Sequence, residues 1–137
     1  MSMLLTEILT NQQEAISGLF DRLGQADARS EAGRRTLILL RARLEEHLRL
    51  EDTLLVPALQ SLEVNDPDAR GALTDFRSGY HRLGEMLEAF WQRWDPDGPL
   101  PSEWRMEADF LFNLVRYRLK LTRRYFYGVY EASLAAA

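Results

Sequence analysis

A chain of 137 residues with 46% hydrophobic and 28% charged side chains can bury one core and reads as a single domain over residues 1–137. Its net charge of −4 argues against nucleic-acid binding, which needs a basic surface. It has no cysteine, which excludes disulfides, thiolate metal sites, iron–sulfur clusters and cysteine nucleophiles. With no basic-then-apolar leader and no apolar run of membrane-spanning length, the expectation is a cytoplasmic protein with no membrane partner.

Ser2 to about Gln25 keeps a helical period through Leu5, Ile8, Leu9, Ile16, Leu19, Phe20 and Leu23, with Ser2 as cap. Gln12 and Gln13 interrupt that apolar face. Gly24 to Arg29 reads as a loop. Ser30 caps a second helix that runs through Leu37, Leu40 and Leu44 to about Leu62. Pro57 lies inside it and should kink it or end it early. Asn65-Asp66-Pro67 is a turn, with Asp66 as cap and Pro67 in the first turn of a third helix. That helix reaches about Trp94 through Leu73, Phe76, Tyr80, Leu83, Leu87 and Phe90. Asp95 to Pro101 is the clearest loop. Ser102 then caps a fourth helix, to about Glu131, carrying Trp104, Ala108, Leu111, Val115, Leu119, Thr122 and Phe126. The tail from Ala132 should fray. Four amphipathic helices, short connections and no strand signal predict an all-α, antiparallel up-down-up-down four-helix bundle.

The chemistry concentrates in the second helix. His47 and Glu51 are one turn apart, so imidazole and carboxylate can point at one place. A buried histidine paired with a glutamate is the plainer reading of that spacing; half of a carboxylate–histidine metal site is the sharper one. The second and fourth helices also match each other when Pro57 is laid on Gly128. Leu44 then meets Val115, Leu48 meets Leu119 and Leu55 meets Phe126.

The segment HLRLEDTLLVP, residues 47–57, resembles the H-x-x-x-E-E-x-x-L-x-P segment of hemerythrin-like (HHE cation-binding) domains. The resemblance covers roughly the whole chain. It implies four antiparallel helices around a carboxylate-bridged di-iron centre, with ligands from every helix. Carried over position by position, Gln13 in NQQEAISGLFDRL replaces the first histidine, or Gln12 does if the register slips by one. His47 and Glu51 are kept, as is His81 in GYHRLGEML. With Gly128 on Pro57, Arg118 falls at a histidine position and Thr122 at a carboxylate position. Half of the ligand positions survive.

Arginine has no acceptor and stays protonated, so it cannot ligate. A unit charge ~5 Å from a dication costs about 7 kcal/mol at an effective dielectric of about 20. The expectation is therefore a degenerate site without a di-iron cofactor, in which Arg118 pairs with Glu51 in the interior. The alternative is one iron or zinc ion on His47, Glu51 and His81, with Glu85 a turn beyond. The functional reading is a non-enzymatic binding or regulatory module, acting through an unknown protein partner or self-association. The alternative is a single-ion sensor, store or weak redox protein. Acid–base catalysis by His47 and Glu51 is the weakest reading, since no nucleophile or oxyanion site is visible.

Three further features have plain readings. Arg116, Arg118, Lys120, Arg123 and Arg124 lie among Tyr117, Tyr125, Phe126, Tyr127 and Tyr130; they should face acidic residues of neighbouring helices. Phe90, Trp91, Trp94 and Trp104 should close one end of the core. Gly79 and Gly84 cost helix stability unless close packing requires them.

Overall fold

The computed structural model describes residues 3–25, 27, 29–63, 67–95, 98 and 100–135. The expected cap Ser2, the turn residues Asn65 and Asp66, part of the loop after Asp95, and the last two residues of the tail lie outside them.

Apolar positions at helical spacing build four rods. The first is α1 (Met3–Gln25). The second joins α2 (Glu31–Leu50), a π-helical turn π1 (Glu51–Leu55) and α3 (Val56–Glu63) without a break. The third is α4 (Pro67–Arg93). The fourth joins α5 (Ser102–Leu121), a longer π-helical turn π2 (Thr122–Tyr127) and α6 (Gly128–Ala135). α1 packs along α2, α3 along α4, and α5 against both α1 and α4, while α6 meets α3. This is an antiparallel four-helix bundle, and no strand occurs among the described residues. No described helix is long and apolar enough to cross a membrane.

Helix starts follow local chemistry. Ser30 is extended and its Oγ accepts from the Gly33 N–H at 3.0 Å, capping α2 as expected. Ser102 does not cap α5. It is the first helical residue, and Pro101 holds the cap position without a side-chain bond. The fourth rod also runs on to Ala135, so Ala132 to Ala135 are helical.

Pro57 neither ends the second rod nor interrupts it, since α3 continues to Glu63. The turn before it explains why. In π1 the Val56 N–H reaches back five residues to the Glu51 carbonyl. The hydrogen-bond ladder is thus already displaced where proline, with no N–H to contribute, enters it.

Each π turn inserts one residue and rotates the remainder of its rod by about 100°. In the second rod the inward series is Leu37, Leu40, Leu44, His47 and Glu51, then Leu55 and Leu59. Leu55, four residues after Glu51, would face inward in an unbroken α-helix too; the rotation shows at Val56, which such a helix would turn outward and which is buried here, while Leu54 is 49% exposed. In the fourth rod Thr122 is followed inward by Tyr127, while Phe126 is only partly buried.

The buried apolar side chains form two clusters. One unites Ile16, Leu19 and Phe20 with Leu40, Leu44, Leu83, Phe90, Trp91, Trp104 and Phe112. Phe90, Trp91 and Trp104 close this cluster as expected, with Trp94 packed against it. The other unites Leu9, Leu55, Val56, Leu59, Leu73, Phe76 and Tyr127. Along every rod the residues between these clusters are polar or amphipathic: Gln13 on the first, His47 and Glu51 on the second, Tyr80 on the third, Thr122 on the fourth.

The rotation at π1 has a direct test. Val56→Ala should cost about 1–3 kcal/mol in urea unfolding, and Leu54→Ala less than about 0.5 kcal/mol. A Val56→Ala variant as stable as the parent would mean that the second rod is an unbroken α-helix.

Candidate functional site

The polar layer is assembled from all four rods. His47 and Glu51 are fully buried where α2 passes into π1. Burial of a carboxyl and an imidazole is costly unless their atoms find partners. From α1, Gln12 offers its Oε1 to His47 Nδ1–H at 2.8 Å. With that oxygen facing the ring, the imidazole proton sits on Nδ1, and Nε2 carries a lone pair. Nε2 stands 3.4 Å from Glu51 Oε1, too long and too poorly aligned for a hydrogen bond, so it is a buried nitrogen without a hydrogen-bond partner.

Glu51 is held from its other oxygen. The Tyr127 hydroxyl donates to Oε2 at 2.8 Å. The same hydroxyl accepts from Gln13 Nε2 at 3.0 Å, and that amide also donates to the Leu119 carbonyl at 3.1 Å. Gln13 therefore fixes a chain that runs Leu119 carbonyl, Gln13, Tyr127, Glu51.

The two π turns create acceptors at matched places. At the end of α2 the Glu51 N–H is shared between the His47 and Leu48 carbonyls, and at the end of α5 the Thr122 N–H is shared between those of Arg118 and Leu119. A shared donor leaves each acceptor underbonded, and a side chain completes it. The Tyr80 hydroxyl donates to the Leu48 carbonyl, as Gln13 does to Leu119. The register that places Gly128 on Pro57 also places Thr122 on Glu51 and Leu119 on Leu48, so the two halves share this device.

Three expectations for this site need correction. First, His81 does not join His47 and Glu51. The inward series of α4 is Leu73, Phe76, Tyr80, Leu83, Leu87 and Phe90, and His81, one residue past Tyr80, is exposed. Glu85, a turn further on, is exposed as well. Second, Arg118 does not close an ion pair with Glu51. Its Nη2 donates to the Phe76 carbonyl and its guanidinium lies 4.4 Å above the Phe76 ring, while Nε is buried without a partner. A Cβ on Gly79 would sit 3.0 Å from Arg118 Nη1, so glycine there makes room for the guanidinium. Nothing lies within 4 Å of a Cβ on Gly84, so close packing explains only the first of the two glycines. Third, Phe126 is not the inward residue after Thr122; Tyr127 is. Thr122 itself is buried with its Oγ1 donating to the Arg118 carbonyl of its own helix at 2.9 Å. Of the basic residues on the fourth rod, Arg116 faces Asp21 at 3.3 Å and Arg123 faces Glu14 at 3.6 Å, as expected for charges meeting acidic neighbours.

Burial sets the protonation of the pair. Desolvation lowers the His47 pKa to about 4, so the ring is neutral at pH 7. Desolvation raises Glu51 to about 7, opposed by the Tyr127 hydrogen bond and by the charge of Arg118. Burial and the neighbouring Glu51 push the Tyr127 hydroxyl up, so it stays protonated and donates. The 3.4 Å contact of His47 and Glu51 is therefore not an ion pair at neutral pH.

The chain matches the family model of the hemerythrin HHE cation binding domain over residues 4–130, and it belongs to that family. No curated protein and no solved structure matched it.

The two shifted groups oppose each other in their effect on stability. His47, lowered, binds fewer protons folded than unfolded, so its contribution rises from about pH 4 to 6.5. Glu51, raised from 4.5, binds more protons folded, so its contribution falls as pH rises to about 7. Between about pH 4.5 and 6.5 the slopes cancel. Glu51→Gln should unmask the histidine, and urea unfolding should then show stability rising by up to about 3 kcal/mol over that interval. A flat profile in the variant would refute the neutral, buried histidine. Tyr127→Phe should cost about 1–3 kcal/mol by stranding Glu51 and Gln13, measured the same way at about pH 6.

Proposed function

We propose that this member of the hemerythrin HHE family is a non-enzymatic binding or regulatory module in which a hydrogen-bonded polar layer stands in place of a di-iron centre. The observation that carries this reading is the commitment of Gln13 and Tyr127. Both amide protons of Gln13 are engaged, by Leu119 and Tyr127, and the Tyr127 proton is engaged by Glu51. The donor set does not fit two irons. Among the described residues no three histidine, aspartate or glutamate side chains gather around a point that could hold an ion. Arg118, fixed over Phe76, adds a positive charge to the same layer.

The buried pair also argues against catalysis. His47 and Glu51 expose almost no surface, so a substrate reaches neither without opening the bundle. A family defined by cation binding thus retains the bundle here while its interior is closed by amide, hydroxyl and carboxyl groups.

A second reading keeps one ion. The unbonded Nε2 of His47, 3.4 Å from Glu51 Oε1, presents a lone pair and a carboxylate oxygen to one small volume. One iron or zinc ion would find two ligands there, without His81.

Metal analysis separates these readings. Protein produced with ample iron and zinc and then desalted should carry well under one equivalent of either metal. It should show no charge-transfer absorption of an oxo-bridged iron pair. Two tightly held irons would overturn the proposal. One equivalent that disappears in His47→Ala would replace it with the single-ion reading.

A further inference from the structure

The outer face of α5 carries an apolar stripe that the described residues leave largely exposed. Phe110, Leu114, Tyr117 and Leu121 recur at spacings of four, three and four, the a/d pattern of a coiled-coil seam. Phe110 and Tyr117 are each 64% exposed and Leu114 39%, while Leu121 is partly buried. Met106, 80% exposed, and Tyr125 extend the stripe at its two ends. The residues that α5 turns to its own bundle, Trp104, Ala108, Leu111, Val115 and Leu119, form a separate face. The helix therefore has two apolar faces, and the bundle uses one. A contiguous exposed row of large apolar side chains marks an interaction site.

The charges that flank the stripe are sorted along its length; Arg105, on the other side of the helix, pairs with Asp109 at 3.4 Å. Glu103 and Glu107 stand at the N-terminal end of the stripe, the latter also accepting from Trp94 Nε1 at 2.8 Å and meeting Arg93 of its own chain at 3.4 Å. Lys120 and Arg124 stand at the other end. A second α5 laid antiparallel would bring each acidic end against a basic end. Phe110 would then face Leu121 of the other copy, and Leu114 would face Tyr117. A parallel arrangement would set Lys120 and Arg124 against their own copies. The stripe is thus self-complementary in one sense only, as a two-fold contact requires.

We propose that the protein forms a homodimer through antiparallel packing of α5 against α5 of a second copy. The contact is isologous and lies on the outside of the bundle. It is independent of what the polar layer holds. It would withdraw the Phe110 and Tyr117 rings from water and pair two acidic with two basic helix ends.

Sedimentation equilibrium or light scattering on the purified full chain, at high micromolar concentration, should give twice the chain mass. Phe110→Asp combined with Tyr117→Asp should halve it, with an unchanged far-ultraviolet circular dichroism spectrum because both side chains are on the surface. The absence of natural cysteine allows a check of direction. A mixture of Phe110→Cys and Leu121→Cys single variants should form a disulfide heterodimer under mild oxidation, and neither variant alone should cross-link. A monomer at all concentrations would overturn the proposal. So would a dimer that survives the paired aspartates, or homodimeric cross-links from the Phe110→Cys variant alone.

Discussion

The constraint on which the interior depends is the burial of the Glu51 carboxyl. A carboxyl group that water cannot reach must be protonated, bonded, or both, and here each answer is partly used. Tyr127 bonds one oxygen, and desolvation keeps a proton available to the other near neutral pH. Gln13 holds Tyr127, and Gln12 holds the imidazole beside it. The layer is a chain of groups of which each is needed to satisfy the next, so its members should act together rather than independently.

The π turns make this layer geometrically possible. Without π2 the residue after Thr122 on the inward face would be Phe126, which has no hydroxyl for Glu51. Without π1, Val56 would turn outward, and Ala58 rather than Leu59 would follow Leu55 inward. The same inserted residue that re-aims side chains also leaves carbonyls underbonded, at Leu48 and at Leu119, and the layer fills both from neighbouring rods. π turns inside helices are costly and tend to mark functional places. Two of them stand at matched positions, one opening on Glu51 and one on Thr122, at the level of the polar layer.

Much of this is legible in the chain. Helical periodicity sets out the four rods, Ser30 marks one cap, and the His47–Glu51 spacing locates the heart of the layer. The match of Pro57 with Gly128 holds the register that aligns both π turns. The consequence of that register is what the sequence conceals. A 3.6-residue period counted through Thr122 points to Phe126, and only an inserted residue brings Tyr127 inward. His81 misleads for a related reason. A histidine in the third helix fits the family pattern, but the apolar series of that helix runs through Tyr80, one residue earlier. Arg118 lies at the expected level, but its partners are a backbone carbonyl and a ring face, and neither can be read from charge pairing.

At the centre of the bundle the imidazole is neutral, carries its proton on Nδ1, and shares its space with a carboxyl. Nitrogen-15 NMR of His47 in the metal-supplemented protein reads this directly. The expected spectrum at about pH 6 shows one protonated and one unprotonated ring nitrogen, unchanged when iron(II) or zinc is added. A doubly protonated ring at that pH, or an Nε2 resonance that shifts or vanishes with a stoichiometric amount of metal, would contradict it.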